Sequence, residues 1–510
     1  MRYNVFLNFT PIPKINIQVL LLILLTGAVA QAQEIRPPAS PPVFQGVRIE
    51  QKEADPVLAK AFSASAVYRF DVDEVVKYLH APTDEMRPVG LRFGEEQEWN
   101  LILEPVNMVV PGATITIASE SGLQTSSLPF IRAFRGVLAG RPDDSEERLT
   151  VNDDFLYGFV RVGDRSHFIE PLRYHFKDAA GDQFVLYDAA DALVSAGSRC
   201  GNDEVAGKLA DAQPESAPCT VCKEVPIGIA SDFSMFQKYG SISGVLNHHI
   251  GVLNNVNGVY DNEFSCEIRF QYARLFFSTC STCDPWTSSA NAQTLVESFR
   301  NWGNNDLCFS STDLLRGLWT NKDLFTIVDG NPNFDVIGRV YDFGTFCSNK
   351  NYHVLEDFAT GVFLRNLVAH EIGHNLDCRH DYEFDNTNCN PPNRPPLMMD
   401  PSVSSTSTWS NGSQTCALNS VNTINNYMNG QGCIDGCGTP LADVWVDFNF
   451  QSCLQTGSFS LPYNLLQFGV YRVGNGGTIN IKPSTSKETI TITKPCTLKA
   501  YNGTVVIGQQ

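Results

Sequence analysis

His370-Glu-Ile-Gly-His374-Asn-Leu-Asp-Cys-Arg-His380 closes a long apolar run that begins at Gly361. The run from Gly361 to Leu376 reads as a buried helix. Residues four apart share a helix face, so His370 and His374 aim two imidazoles at one point. Glu371 is rotated by about 100° from His370. It can therefore reach a water on a metal ion held by the histidines without ligating the ion. His380 lies six residues after His374, off the helical register, so the chain must turn near Asp377 to bring it back. Three neutral imidazoles suit a single Zn2+ ion and leave a fourth position open for water. Zinc lowers the pKa of that water toward ~7 and polarises a carbonyl. A carboxylate at Glu371 could take the water's proton and pass it to a leaving amine. That is the chemistry of amide hydrolysis without a covalent intermediate. The chain has only 9 histidines. The five-residue pattern arises by accident on the order of once in a hundred such chains, and the third histidine makes it rarer.

Upstream of this helix the pattern alternates. Val225 to Ala230 reads as a strand and Ile242 to Val256 as a helix, with Val245, His249, Val252 and Val256 on one face. Ile268 to Phe277 reads as a strand and Ala292 to Trp302 as a helix. Asp323 to Val328 and Val336 to Phe343 read as further strands. The earlier stretch, Phe44 to Phe176, is a succession of short strands such as Trp99–Leu103, Ala113–Ile117 and Phe155–Val162, punctuated by Gly and Asp. Beyond Gly438 the chain turns strand-like again, with period-two alternation at Thr478–Ile481 and Glu488–Ile492.

The chain has 510 residues and a net charge of −18. That length predicts about three domains. So acidic a surface repels phosphate backbones, which argues against nucleic acid as a partner. Arg2 and Lys14 precede an apolar run at Val19–Leu25 and the small residues Ala30-Gln-Ala32, the layout of a secretory signal cleaved near Ala32. The run is too short to span a bilayer comfortably, and no later run is long enough. A secreted protein without a membrane span is expected. The 15 cysteines fit an oxidising compartment. None lies between Phe44 and Phe176, and 10 fall between Cys266 and Cys437. The small, polar stretch Gly207–Ala217 reads as an exposed, cleavable linker. Cys219-Thr-Val-Cys222 and Cys280-Ser-Thr-Cys283 suit either disulfides or a structural zinc site, and the compartment favours disulfides.

The histidine segment resembles the metzincin proteases and, within them, the adamalysin–reprolysin family. Asp381 after the third histidine is similar to that family's His-Asp ending. Leu397-Met-Met-Asp-Pro401 resembles its Met-turn, which makes Met399 the methionine beneath the zinc. Glu224 to Tyr239 looks like the family's opening strand and helix. Asp335 to Cys347 is similar to its edge strand, which pairs with an extended substrate by β-addition. The resemblance spans residues 223–437. It implies an α/β metzincin catalytic domain: a mixed, mostly parallel sheet, a long active-site helix and a Met-turn. One position departs from the family: Asp377 stands where it usually has Gly, at a turn that favours a left-handed backbone.

Ser198-Arg-Cys200-Gly-Asn-Asp203 resembles the cysteine switch of matrixin and adamalysin propeptides. A thiolate is a strong zinc ligand, so Cys200 would fill the open position and silence the enzyme. Setting Cys200 aside leaves 14 cysteines, an even number that can all pair. The alternative is a disulfide from Cys200 to Cys219 or Cys222. Phe134-Arg-Gly136, Arg148-Leu-Thr150, Tyr157-Gly-Phe159 and His167–Leu172 resemble a reprolysin propeptide. Gly476–Ile481 through Gly503–Ile507 looks like one turn of a β-rich surface-protein repeat, which could not bury a core alone.

The expected organisation is a signal peptide at 1–32, a β-rich prodomain with switch and linker at 33–222, a catalytic domain at 223–437, and a small β-rich region at 438–510. The resemblance implies a zinc endopeptidase made as a latent zymogen, with protein or peptide substrates. Its own prodomain would be the inhibitor, and another protease the activator. A structural calcium ion is compatible with the sequence, but no residues mark a site for one. A zinc-fold binding protein without turnover is the competing class, and the presence of Glu371 with all three histidines argues against it.

Overall fold

Nine strands between residues 43 and 188 close into a barrel. The chain is described as a computed structural model, for residues 41–81, 86–95, 97–194, 199–202, 222–261, 263–264, 267–311, 314–328, 331–359, 361–382, 394–414, 417–436 and 440–508. The expected signal peptide and the linker Gly207–Ala217 lie outside them. Around the barrel every neighbouring pair is antiparallel except one. An odd number of strands cannot alternate direction all the way round. The exception is the closing pair, Val43–Ile49 beside Arg87–Phe93, which runs parallel from Val43↔Gly90 to Gly46↔Phe93. The barrel interior is apolar, with Val89, Leu91, Phe93, Leu101, Leu103 and Phe134 all buried.

A second sheet positions the histidine helix. Eight of its ten strands form the main path: β1 (Val109–Ser119), β2 (Gly122–Ser127), β3 (Arg199–Cys200), β4 (Lys223–Ser231), β5 (Ile268–Ser278), β6 (Leu315–Thr320), β7 (Asn331–Val340) and β8 (Tyr352–Glu356). Their order is β3-β7-β8-β6-β4-β5-β1-β2. The pairs β5–β4, β4–β6 and β6–β8 are parallel, and β7 runs antiparallel to β8. This is the mixed, mostly parallel sheet expected. Both edges are supplied by residues that precede the linker. β3 lies parallel on β7, and the β1–β2 hairpin leaves the barrel to lie parallel on β5.

Three of the helices that pack on this sheet are α1 (Ile242–Asp261), α2 (Ala292–Asn305) and α3 (Gly361–Asn375). Helix α1 runs five residues past the expected Val256 and is buried on nearly every side. Barrel residues cover the face away from the sheet. A Cβ placed on Gly251 would lie 2.7 Å from Tyr157, and one on Gly258 would lie 3.0 Å from Phe159. Only glycine admits so close a contact at those two positions. The outer face of the barrel and the sheet-and-helix core meet here in one continuous apolar cluster that includes Phe155, Tyr157, Phe159, Val252, Val256 and Leu364.

Two central strands, β6 and β8, escape the sequence reading. β6 is buried at all six residues yet contains Arg316. The buried guanidinium donates to the carbonyls of Phe309 and Ser348 and stacks on the Tyr352 ring at 4.9 Å. A strand buried on both faces has no polar alternation to betray it. Conversely, Glu488–Ile492 is not a strand despite its period-two pattern. Glu488 instead turns in to accept the free N–H groups of Leu466 and Gln467, 2.8 and 3.3 Å away, at the start of helix α4 (Leu466–Arg472).

Residues 440–508 form parallel strand pairs in two tiers. Leu441–Val446, Val473–Ile481 and Thr497–Ala500 make one tier, and Ser484–Ser486 with Val505–Ile507 the other. They carry a small core of Val444, Val446, Phe468 and Ile479. Cys453 in this module is disulfide-bonded to Cys308. Cys280–Cys283 and Cys347–Cys433 are also bonded, and Cys222 is in a disulfide. The CxxC pair at Cys280 is thus a disulfide with itself. The expectation that all 14 remaining cysteines pair does not hold. Cys378 and Cys496 are unpaired along with Cys200. Cys378 is buried behind the histidine helix, where its thiol points at the Ser420 carbonyl. Among the described residues no helix is long and apolar enough to cross a membrane.

Candidate metal centre

Helix α3 is buried over its whole length, so every side chain on it faces protein. His370 donates from Nδ1 to the Met398 carbonyl at 2.8 Å, and His374 from Nδ1 to the Cys378 carbonyl at 2.7 Å. A carbonyl can only accept, so each proton sits on Nδ1 and each Nε2 presents a lone pair. Burial drives the His370 imidazole down to about 3 and holds His374 well below the ordinary histidine range. Both rings are therefore neutral, the form that binds metal.

The helix ends in a turn that delivers the third imidazole. The Cys378 N–H bonds back to the Gly373 carbonyl at 2.9 Å and the Asp377 N–H to the His374 carbonyl at 3.0 Å. These are the two bonds of a Schellman C-cap, which places its C′ residue in the left-handed region. That residue is Asp377, with φ of 74°. Aspartate thus takes the conformation that the sequence reading demanded of this position. His380 follows, and the Asp381 N–H bonds to the Met399 carbonyl at 2.8 Å.

The three Nε2 atoms then converge. His374 Nε2 lies 3.1 Å from His380 Nε2, which lies 3.2 Å from His370 Nε2. Cys200 Sγ is 3.5 Å from His374 Nε2. All four ligand atoms fall within 4.8 Å of one another, and all four residues are buried. A tetrahedral zinc with ordinary bond lengths has N–N edges of ~3.3 Å and N–S edges of ~3.5 Å. The donor set and its spacing therefore fit that ion.

Cys200 is held in place from both sides. Its N–H bonds to the Pro401 carbonyl at 2.9 Å, and the Gly201 N–H bonds to the Gly338 carbonyl on β7 at 2.8 Å. Arg339 donates to the Gly201 carbonyl, and Asn202 donates from Nδ2 to the Cys200 sulfur at 3.2 Å. Burial, and then the nearby Glu371, push the Cys200 thiol well up. No disulfide to Cys219 or Cys222 forms: Cys200 is a free cysteine.

Glu371 is fully buried, and neither carboxylate oxygen has a hydrogen-bond partner among the described residues. Burial raises its pKa to about 8. It packs against Gly338, where a Cβ would stand 2.3 Å from Oε1. Gly338 was not singled out from the sequence. A glycine within a strand pattern is the signal that could have found it, since it marks close approach of another group. Asn202 was likewise quoted without a role.

Met399 is fully buried beneath the helix. A Cβ on Gly373 would lie 2.7 Å from its Sδ and 3.2 Å from the Trp409 ring. This gives a prediction with a diagnostic sign. In a free helix, Gly→Ala stabilises by roughly 0.5–1 kcal/mol. Gly373→Ala should instead destabilise by about 1–3 kcal/mol through overpacking, read as a lower midpoint in denaturant titration. An unchanged or raised midpoint would mean that Met399 does not press on the helix.

Residues 222–427 match a reprolysin-type model of metallo-peptidase family M12. The match contains all three histidines, Glu371 and Met399.

Proposed function

We propose that this chain, whose residues 222–427 match a reprolysin-type model of metallo-peptidase family M12, is a secreted zinc endopeptidase held latent by its own N-terminal half. The observation that carries this reading is the convergence of Cys200 Sγ with the Nε2 atoms of His370, His374 and His380. Zinc bound there would activate a water and polarise the scissile carbonyl. Glu371 sits against that position with an unpartnered carboxylate. It takes a proton from the attacking water and hands it to the leaving nitrogen. Met399 supports His370 and His374 from beneath in the manner of a Met-turn.

The N-terminal half blocks two things at once. Cys200 occupies the position that water needs. Strand β3 occupies the edge of β7, pairing Arg199 with Val336 and Cys200 with Gly338. That edge is the one along which an extended peptide would add as a strand. Residues 33–222 are accordingly read as prodomain and 223–437 as catalytic domain, and cleavage by another protease between Gly201 and Lys223 is the step that lets the Cys200 segment leave the cleft. Disulfides and the apolar run at Val19–Leu25 support secretion.

The first test is whether linker-cleaved protein hydrolyses casein and whether a zinc chelator abolishes it. Hydrolysis by the cleaved protein that survives chelation would overturn the zinc mechanism. The third ligand has its own test. His380→Ala should lose activity and drop clearly below one zinc per chain, because two imidazoles and water hold the ion poorly. Full metal content and activity in that variant would place the third ligand elsewhere.

A further inference from the structure

The module at 440–508 grips the N-terminal half as well as the protease. Its link to the protease is covalent, through Cys308–Cys453. It adds a bond from Tyr471 to the buried carboxylate of Glu224 at 2.9 Å. On its other side lies the segment around the β1–β2 hairpin. Phe130, half-buried, packs against the module's apolar core, edge-on to Phe468 at 5.0 Å and to Tyr471 at 5.2 Å. Ser127 donates to Asn464 Oδ1 at 2.7 Å. Gly112 has φ of 82°, and a Cβ there would sit 2.8 Å from the Cβ of Gln455.

Residues 109–118 thus line the β5 edge of the catalytic sheet, and Gly112, Ser127 and Phe130 touch this module. The contrast with the other edge is large. β3 holds β7 through two residue pairs, whereas β1 holds β5 through pairs running from Val109 to Ala118. In the chain the cleavable linker joins β3 to β4 and is remote in sequence from residues 108–131. Cutting it frees the chain beyond Cys200 but leaves residues 108–131 where they are.

We propose that residues 440–508 are a clamp that retains the prodomain on the protease after the linker is cut, with Cys308–Cys453 as its tether. The inference rests on reading residues 33–222 as prodomain. Linker cleavage then yields a two-chain complex, and full release requires the clamp to open.

The test uses the full chain with a sequence-specific protease site placed in the linker. After cutting under native conditions, the two fragments of the wild-type chain should co-elute on gel filtration. Release of the N-terminal fragment, followed with a fluorescent label against excess unlabelled fragment, should be about tenfold faster or more in Phe130→Ala, whose half-buried ring packs on two aromatic rings of the module. The same gain is expected in the Cys308→Ser/Cys453→Ser variant, so either variant decides the matter if the other does not fold. Separation of the wild-type fragments on cutting would overturn the clamp, and so would variant release at the wild-type rate. Latency is scored separately. If the uncut chain already cleaves casein as fast as the separated protease, the prodomain reading fails, whatever the elution shows.

Discussion

Glu371→Gln should abolish peptide hydrolysis while leaving zinc bound. The site keeps its three buried imidazoles, and the Nδ1 contacts of His370 and His374 to the Met398 and Cys378 carbonyls do not involve Glu371. Glutamine is close in volume, so the contact with Gly338 survives. What disappears is the group able to accept a proton from water and return it to the leaving nitrogen. Loss of a general base typically costs ~10²–10⁴ in rate. Turnover of linker-cleaved protein and metal content of the same sample decide the matter. Retention of more than about a tenth of the rate would sink the role. Loss of zinc together with activity would mean that Glu371 is instead a ligand or a structural support.

Cys200→Ser should give a precursor that cleaves peptide before the linker is cut. On the proposed reading the Cys200 sulfur fills the fourth zinc position and silences the precursor, and a hydroxyl is a far weaker zinc ligand. Activity at least about tenfold above the wild-type precursor is expected from that exchange. The gain stays below that of fully released protease, since Arg199 and Gly201 still pair along β7. Thiol-reactive mercurials should wake the wild-type precursor by the same route. An uncut Cys200→Ser chain as silent as wild type would leave occlusion of the β7 edge as the sole source of latency.

The histidine helix, its boundaries and its three imidazoles were legible because each is written locally. Four-residue spacing fixes a face, and Asp377 carries the demand for a left-handed backbone. The edge strand and the first catalytic strand were legible for the same reason. Four features were not. Closure of the barrel depends on a parallel pair, Val43 with Gly90, whose partners carry no mark of each other. The β1–β2 hairpin looked like any other strand of the N-terminal half, yet its partner is Tyr272–Ser278. Strand β6 hid a buried arginine whose partners include Phe309, Ser348 and Tyr352. Cysteine parity pointed toward Cys200 through an assumption that Cys378 and Cys496 break. The support for Cys200 as a ligand is now its position beside His374, and the count adds nothing to it.

X-ray absorption at the zinc edge of the purified, uncut precursor tests the central claim most directly. A first shell of three nitrogens at ~2.0 Å and one sulfur at ~2.3 Å is predicted. The sulfur should vanish in Cys200→Ser and on linker cleavage with removal of the prodomain. A wild-type precursor that binds one zinc with only nitrogen and oxygen neighbours would contradict the account.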